Sequence, residues 1–287
     1  MPSLTGNQRG ALWMLLFALM IVLVSVCVRE IGARIGTWQV TLARFVFGLG
    51  AILPMLLANG SASWRTRRLG GHAGRTLLMV LGMWCGFHAF SHLPMADAGG
   101  LYYSRPVFVL VAAALFLGER LSGARLAAVA VSFAGMLLIL KPGGHGFDPL
   151  LVVPLAGAIL LALGVVHTKS LLATESQAAI LFYANVLGAL ACLPGTVLQW
   201  VAPTPWEWLL LVGVGLFGVC SQWAMVRAYA AGAPGAVAPF EYAQFVFAPV
   251  AGVLLFHDAL DAATLTGMAV IVIAGVRLAQ HEQRSSR

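Results

Sequence analysis

The sequence predicts an all-α membrane protein in which ten transmembrane helices form two inverted five-helix repeats around a central cavity. Three observations support this fold class: an apolar composition, apolar runs of membrane-spanning length, and an internal repeat. Of the 287 residues, 60% are hydrophobic and 9% are charged, and the mean hydropathy is +0.91. Soluble domains carry about 25% charged residues, so this chain lacks the polar residues needed to cover a water-facing surface.

The apolar runs are long enough to cross a bilayer, since about 17 to 25 residues span the hydrocarbon core as a helix. The connections between them are short and leave no room for a soluble domain. Lipid cannot satisfy exposed backbone groups, which favours a helical bundle. The predicted spans are approximately 10–28, 38–58, 75–93, 98–117, 124–141, 149–167, 178–201, 207–227, 235–256 and 262–279.

The basic residues predict the orientation, because Lys and Arg accumulate in cytoplasmic segments. With both termini in the cytoplasm, that side receives Arg9, Arg65, Arg67, Arg68, Arg75, Arg120, Arg125, Lys169, Arg227, Arg277, Arg284 and Arg287. The opposite side receives only Arg29, Arg34 and Lys141. The net charge of +7 therefore follows membrane topology. There is no basic patch interleaved with aromatic residues, so we predict no nucleic-acid partner.

The chain also repeats itself, with one copy in residues 1–143 and the other in 144–287. Residues 101–108 align with 240–247 at an offset of 139. An odd number of spans in each copy places the copies in opposite orientations, an arrangement typical of alternating-access transporters. Further pairs at offsets of 139 or 140 are Glu119 with Asp258, Trp84 with Trp223, Gly48 with Gly188, Pro54 with Pro194, and Arg29 with Lys169.

Several motifs resemble the EamA repeat of the drug/metabolite transporter superfamily. Residues 115–121 read LFLGERL, residues 135–143 read GMLLILKPG, and residues 227–232 read RAYAAG. The resemblance implies a ten-helix bacterial inner-membrane carrier of amino acids, vitamins, nucleotide-related metabolites or drugs. The chain departs from the family pattern at His257-Asp258, where Gly-Glu is usual, and at Gln244-Phe245, where a proline often stands.

Glu241 is the strongest candidate site residue, because a carboxylate within an apolar span is costly and usually functional. Glu241 and Gln244 are three residues apart, as are Tyr102 and Arg105 at the repeat-equivalent positions, so each pair shares a helix face. Arg105 can bind a carboxylate as a bidentate fork, and Glu241 can accept from an amine. This combination suits an amino acid. The alternative is that Arg105 and Glu241 pair with each other.

Other candidates each carry two interpretations. Arg44 either extends to the lipid headgroups or reaches the cavity mouth. Trp84 and Trp223 occupy matched positions and either form cavity walls or pack within the bundle, and His88 is a candidate lining residue. His88, His92 and Asp97 could hold zinc in an open site, but Pro94 intervenes, so we predict neither a metal nor a cofactor.

The sequence therefore predicts a secondary transporter and not an enzyme. The expected activity is export of aromatic or neutral amino acids, or of related small metabolites, by alternating access. One alternative is an uptake carrier for a vitamin of the riboflavin type or a nucleoside-like metabolite, and another is a membrane-embedded metalloenzyme. The expected partners are a small-molecule substrate and the lipid bilayer. Proton coupling, and the choice between monomer and homodimer, stay open.

Overall fold

The computed structural model describes residues 5–31, 34–58, 64–92, 101–119, 122–140, 149–257 and 261–285, and these ranges contain helices and connections but no strand. The helices are α1 Gly6–Ile31, α2 Thr37–Ala58, α3 Leu69–His92, α4 Arg105–Leu117, α5 Gly123–Leu140, α6 Val152–Leu171, α7 Gln177–Leu198, α8 Pro205–Ala231, α9 Pro234–Phe256 and α10 Ala262–Ser285. A 3₁₀ turn, Pro149–Leu151, leads into α6.

Length and composition identify a multi-pass membrane protein, which confirms the predicted all-helical membrane class. Many large apolar side chains project outward, among them Leu115 at 74% and Leu198 at 85% exposure, as expected where lipid covers the surface. The count of ten spans remains a prediction. Among the described residues, six segments are long and apolar enough to cross a membrane: Gly6–Ile31, Pro149–Leu171, Gln177–Leu198, Pro205–Ala231, Pro234–Phe256 and Ala262–His281.

Helices from the two predicted repeats pack mainly across the boundary between them. Helix α1 lies along α8, α3 lies along α6, and α2 contacts both α7 and α8. Met14 and Phe17 of α1 are buried in one cluster with Ala224 and Ala228 of α8. Among the described residues, the main buried clusters each combine side chains from residues 1–143 and 144–287.

Glycines bring α5 and α10 into close contact. A Cβ atom added to Gly135 would lie 2.9 Å from the carbonyl oxygen of Gly267, and one added to Gly267 would lie 2.5 Å from that of Gly135. Any larger residue would separate the two backbones. Close approach through small residues is how membrane helices gain packing energy, because lipid provides little hydrophobic drive for their association.

The contact between α2 and α7 is made twice, with the roles exchanged. A Cβ atom on Gly48 would meet Oδ1 of Asn185 at 2.8 Å, and one on Gly188 would meet the ring of Phe45 at 2.7 Å. Phe45 and Asn185 are 140 residues apart, as are Gly48 and Gly188. Such an exchange is the signature of a two-fold relation between the partners of a contact, and it supports the repeat register read from the sequence.

Helix α4 and the last part of α9 also match. Each contains 13 residues, Arg105–Leu117 and Gln244–Phe256, and their first residues are 139 positions apart. Each ends at a left-handed residue, Gly118 with φ of 68° and His257 with φ of 55°. Glycine is usual at such a cap because it has no Cβ atom to clash with the backbone, so His257 occupies a position suited to glycine.

We predict that His257→Gly stabilises the protein by about 1 kcal/mol, because the left-handed conformation strains residues that carry a Cβ atom. His257 is exposed, so little packing is lost. The apparent melting temperature of the purified protein in detergent measures the effect.

The matched variant is Gly118→Ala, where the added Cβ atom has no neighbour within 4 Å. We expect it to destabilise the protein by a similar amount, about 1 kcal/mol. An unchanged or lower melting temperature for His257→Gly would contradict the assignment of strain to this cap.

Candidate functional site

The candidate site is a cavity of about 220 Å³ near the middle of the bundle. It brings together five of the residues that the sequence singled out: Arg44, Tyr102, Arg105, Glu241 and Gln244. Its other polar lining residues are Arg75, Thr76, Tyr103 and Gln222, and its apolar lining includes Phe17, Ile21, Met79, Met83, Leu161 and Met225.

The two central charges lie where helices are interrupted. Helix α9 begins as a short α-helical turn, Pro234–Val237, continues as a 3₁₀ segment, Ala238–Ala243, and becomes α-helical again at Gln244. Proline lacks a backbone N–H group and so disrupts regular helix hydrogen bonding. Glu241 is in the 3₁₀ segment, and Arg105 is the first residue of α4. Interrupted helices often form the binding sites of secondary transporters.

Arg105 and Glu241 form a direct ion pair. This is the alternative given in the sequence analysis, in which the two side chains pair with each other. Nε of Arg105 donates to Oε2 of Glu241 at 3.2 Å, and Nη2 donates to Oε1. The side chains are only 14% and 4% exposed. This bidentate geometry is the strongest form of a guanidinium–carboxylate contact. The pair connects the start of α4 to the break in α9.

Arg75 is a site residue that the sequence analysis missed. Orientation counting assigned it to a cytoplasmic segment, but it is 1% exposed and lines the cavity. Its Nε donates to Oγ1 of Thr168 at 2.7 Å, and Nη2 has no hydrogen-bond partner within the described parts of the chain. Arg75 is the first residue of the apolar run 75–93, and a basic residue at the end of a span is usually interfacial. Its position in the sequence therefore gave no sign that it lines the cavity.

Three predicted site residues lie elsewhere. Trp84 is 45% exposed and its ring stacks on that of His88 at 5.1 Å. Trp223 packs against Trp13 at 4.9 Å and lies 5.3 Å from the guanidinium of Arg227. None of the three is among the described residues that line the cavity. The packing interpretation fits Trp223, whereas the exposed Trp84 fits neither interpretation.

The hypothetical metal site rested on His88, His92 and Asp97. The side chain of His92 and all of Asp97 lie outside the described residues. In the parts that the structure describes, no group of three potential metal ligands is found. The metal hypothesis therefore receives no support from geometry.

A second cavity of about 640 Å³, which we call the vestibule, adjoins the first. Both are lined by Arg44 and Met83, and the vestibule continues past Thr41 to Arg29. Arg44 therefore stands at the mouth of the inner cavity, which is one of the two positions considered for it. We name this side of the bundle the Arg29 end.

Polar contacts bind the chain together at the opposite side, the Lys169 end. Nζ of Lys169 donates to the carbonyl oxygens of Tyr229 at 2.5 Å and Gly232 at 3.0 Å, which caps the C-terminus of α8. The N–H of Ala233 donates to Asn7, and the N–H of Gly235 donates to Glu119. These bonds hold the α8–α9 connection against α1 and the end of α4.

At the Arg29 end, an ion pair joins the α1–α2 connection to α8. The guanidinium of Arg34 donates to both carboxylate oxygens of Glu207, which also forms a capping box with Thr204. Hydrogen bonding to the carboxylate raises the pKa of Arg34. Arg34 is 47% exposed, unlike the buried pair in the cavity.

An interrupted helix pair around a buried polar cavity defines this protein as a membrane transporter of small molecules. The EamA-like transporter family model matches residues 8–141 and again residues 149–279. The chain therefore belongs to the EamA-like transporter family, and the resemblance seen in its motifs is confirmed.

Curated relatives of similar length are transporters with different cargoes. The chain is 26% identical to an S-adenosylmethionine uptake transporter of Rickettsia prowazekii, covering 99% of this chain and 96% of the relative. It is 29% identical to a riboflavin transporter of Vibrio cholerae, covering 97% and 95%. It is also 29% identical to a pseudopaline exporter of Pseudomonas aeruginosa, covering 95% and 96%. A solved crystal structure shares the fold, with a TM-score of 0.85, 21% identity, and coverage of 97% and 99%.

We predict that removing one member of the central pair destabilises the protein by about 3 to 5 kcal/mol, because the other charge is left buried and uncompensated. Arg105→Met and Glu241→Leu are the single variants. The double variant should recover most of the loss, since an apolar pair of similar volume is nearly neutral. Thermal unfolding in detergent measures all three.

The pair at the Arg29 end supplies the control, because Arg34 is 47% exposed although Glu207 is only 9% exposed. Arg34→Met should cost less than Arg105→Met, since water already reaches the guanidinium and Glu207 keeps the hydrogen bond from the backbone N–H of Thr204. Equal losses for Arg34→Met and Arg105→Met, or additive losses in the double variant at the cavity, would show that the central pair is not energetically coupled.

Proposed function

We propose that this protein carries an amino acid, or a metabolite that contains an amino-acid group, through the cavity by alternating access. The observation that supports this proposal is the buried pair of Arg105 and Glu241 at the two helix breaks. Intramembrane charges of this kind mark substrate pathways in transporters. Their position between α4 and α9 connects the binding of cargo to the relative position of these helices.

A zwitterion can replace the internal ion pair without leaving a charge exposed to hydrocarbon. Its carboxylate would accept hydrogen bonds from the guanidinium group of Arg105, and its ammonium group would donate to the carboxylate of Glu241. One buried ion pair is thereby exchanged for two, and each charge remains compensated. A neutral cargo that separated the same side chains would leave two isolated charges, which is strongly unfavourable in a low-dielectric interior.

The sizes of the two cavities suit a cargo with a small charged head. Pockets for drug-sized ligands commonly measure about 300–1,000 Å³. The inner cavity of about 220 Å³ is smaller than this range, and the vestibule of about 640 Å³ falls within it. An amino-acid group would fit beside Arg105, with a larger remainder in the vestibule. S-adenosylmethionine, the cargo named for a relative, combines an amino-acid group with a nucleoside.

Access to the cavity would alternate between the two ends of the bundle. The vestibule leads to the Arg29 end, and the hydrogen bonds around Lys169 hold the other end together. The two matches to the family model and the exchanged contact between α2 and α7 support two related halves that rock against each other. We propose the inverted orientation of these halves, with both termini in the cytoplasm of an inner membrane.

The proposal is tested by counterflow of labelled amino acids and of labelled S-adenosylmethionine in proteoliposomes. We expect exchange by the wild type and at least roughly tenfold slower exchange by Glu241→Gln and Arg105→Gln, since each loses a charged hydrogen bond to the cargo. Glu30→Gln and Arg277→Gln change the same residue types at exposed positions and should retain wild-type rates.

Wild-type rates in both cavity variants would remove the central pair from the transport mechanism. Vesicles loaded with substrate on one side only would establish the direction of transport. We predict export from the family resemblance. The relatives named above include both uptake and export proteins.

A second candidate is uptake of a vitamin or nucleoside-like metabolite, favoured by the similarity to a riboflavin transporter. Riboflavin counterflow in the same vesicles separates the two. Exchange of riboflavin without any exchange of amino-acid-containing compounds would replace the first proposal with this one.

A further inference from the structure

The charged lining of the inner cavity is unbalanced. Among the residues that the structure describes, its lining contains three guanidinium groups, those of Arg44, Arg75 and Arg105, and one carboxylate, that of Glu241. Glu241 is occupied by both hydrogen bonds from Arg105. Two positive charges in the cavity wall are therefore left without a carboxylate from the same wall.

Arg75 is the more deeply buried of these two. It is 1% exposed, its Nε donates to Thr168, and its Nη2 has no partner among the described residues. The hydroxyl of the next residue, Thr76, is likewise buried and without a partner among the described residues. Two adjacent residues in the cavity lining thus have unused hydrogen-bonding capacity.

Glu175, on the connection between α6 and α7, is already engaged by another side chain. Glu175 is 3.4 Å from Nε2 of His72, and both side chains are buried, at 6% and 1% exposure. The guanidinium of Arg68 donates to Thr174 beside it. No ion pair joins Arg75 to a carboxylate within the described ranges. A buried charge without a counter-charge is strongly unfavourable, so a site of this kind favours an anion.

We propose that Arg75 and Thr76 form an oxyanion subsite of the cavity, and that the cargo carries a carboxylate or phosphate group that binds there. A guanidinium binds either group through paired N–H donors, and the threonine hydroxyl adds a third donor. The inference rests on the proposed function in one respect, namely that this cavity is the transport path.

The subsite narrows the class of cargo. Arg105 and Glu241 together can hold the two charges of an amino-acid group, which leaves Arg75 and Arg44 for a further acidic group. The cargo is thus an amino-acid-like compound with an additional carboxylate or phosphate, and its net charge is negative. Neutral and cationic compounds that lack this group, S-adenosylmethionine among them, bind more weakly than an acidic amino acid.

Thermal shifts of the purified full-length protein in detergent test the subsite. The probes are L-glutamate, its matched amide L-glutamine, and inorganic phosphate, all at constant ionic strength set with sodium chloride. We expect glutamate and phosphate to raise the melting temperature more than glutamine does. In Arg75→Met the apparent affinity for both anions should fall by at least roughly tenfold, because a charge-assisted hydrogen-bonded pair is lost.

Arg277→Gln is the matched control, because Arg277 is exposed on α10, and it should keep the wild-type anion response. Arg75→Lys keeps the positive charge without the planar fork and should respond to the anions with intermediate affinity. This second variant provides the test if Arg75→Met does not fold. A phosphate effect without a glutamate effect assigns the subsite to phosphate-bearing cargo.

Equal anion responses in wild type and Arg75→Met, or no response of the wild type to either anion, would overturn the subsite. This failure is distinguishable from failure of the proposed function. If counterflow still depends on Arg105 and Glu241, the transport proposal stands without the subsite. If anion binding depends on Arg75 but the Arg105 and Glu241 variants keep wild-type counterflow rates, the subsite is supported and the proposed transport mechanism is rejected.

Discussion

The pairing of Arg105 with Glu241 is the constraint on which the centre of this bundle depends. A single ionised group in such an apolar interior costs several kcal/mol, and only a partner with good hydrogen-bond geometry offsets that cost. The pair joins the first residue of α4 to the 3₁₀ segment of α9. It therefore holds two interrupted helices, one from each half of the chain, at a fixed separation around the cavity.

The surrounding helices position this pair through close backbone contacts. Gly48 and Gly188 let α2 and α7 cross with exchanged contacts to Asn185 and Phe45, while Gly135 faces Gly267 where α5 crosses α10. Such contacts replace the hydrophobic drive that is absent between helices in lipid. Because α1 lies along α8 and α3 along α6, movement of either half rearranges these interfaces and the cavity between them.

The sequence singled out Arg105 and Glu241 because rare charged residues in apolar spans carry strong information, but it gave their direct pairing only as the alternative to substrate binding. Arg105 and Glu241 stood out against their surroundings, and the offset of 139 placed them on matching segments. The facing direction of Trp84 and Trp223 was not predictable, because apolar residues surround these helices on all sides and periodicity cannot distinguish cavity from lipid. Arg75 was missed for a related reason: hydropathy locates the end of a span but does not show which way a terminal side chain points.

The two halves match in the lengths of α2 and α7 and of α4 and the last part of α9, but they differ in their charges. Ala184 occupies the position equivalent to Arg44 at an offset of 140, and Gln244 is equivalent to Arg105 at an offset of 139, yet all four line the same cavity. The guanidinium groups come from the first half and the carboxylate comes from the second. Any motion that separates the halves must therefore separate opposite charges, unless a cargo supplies the missing partners. A ligand shifts a conformational equilibrium only through its different affinity for the two states, and under the proposed function charge compensation would supply that difference.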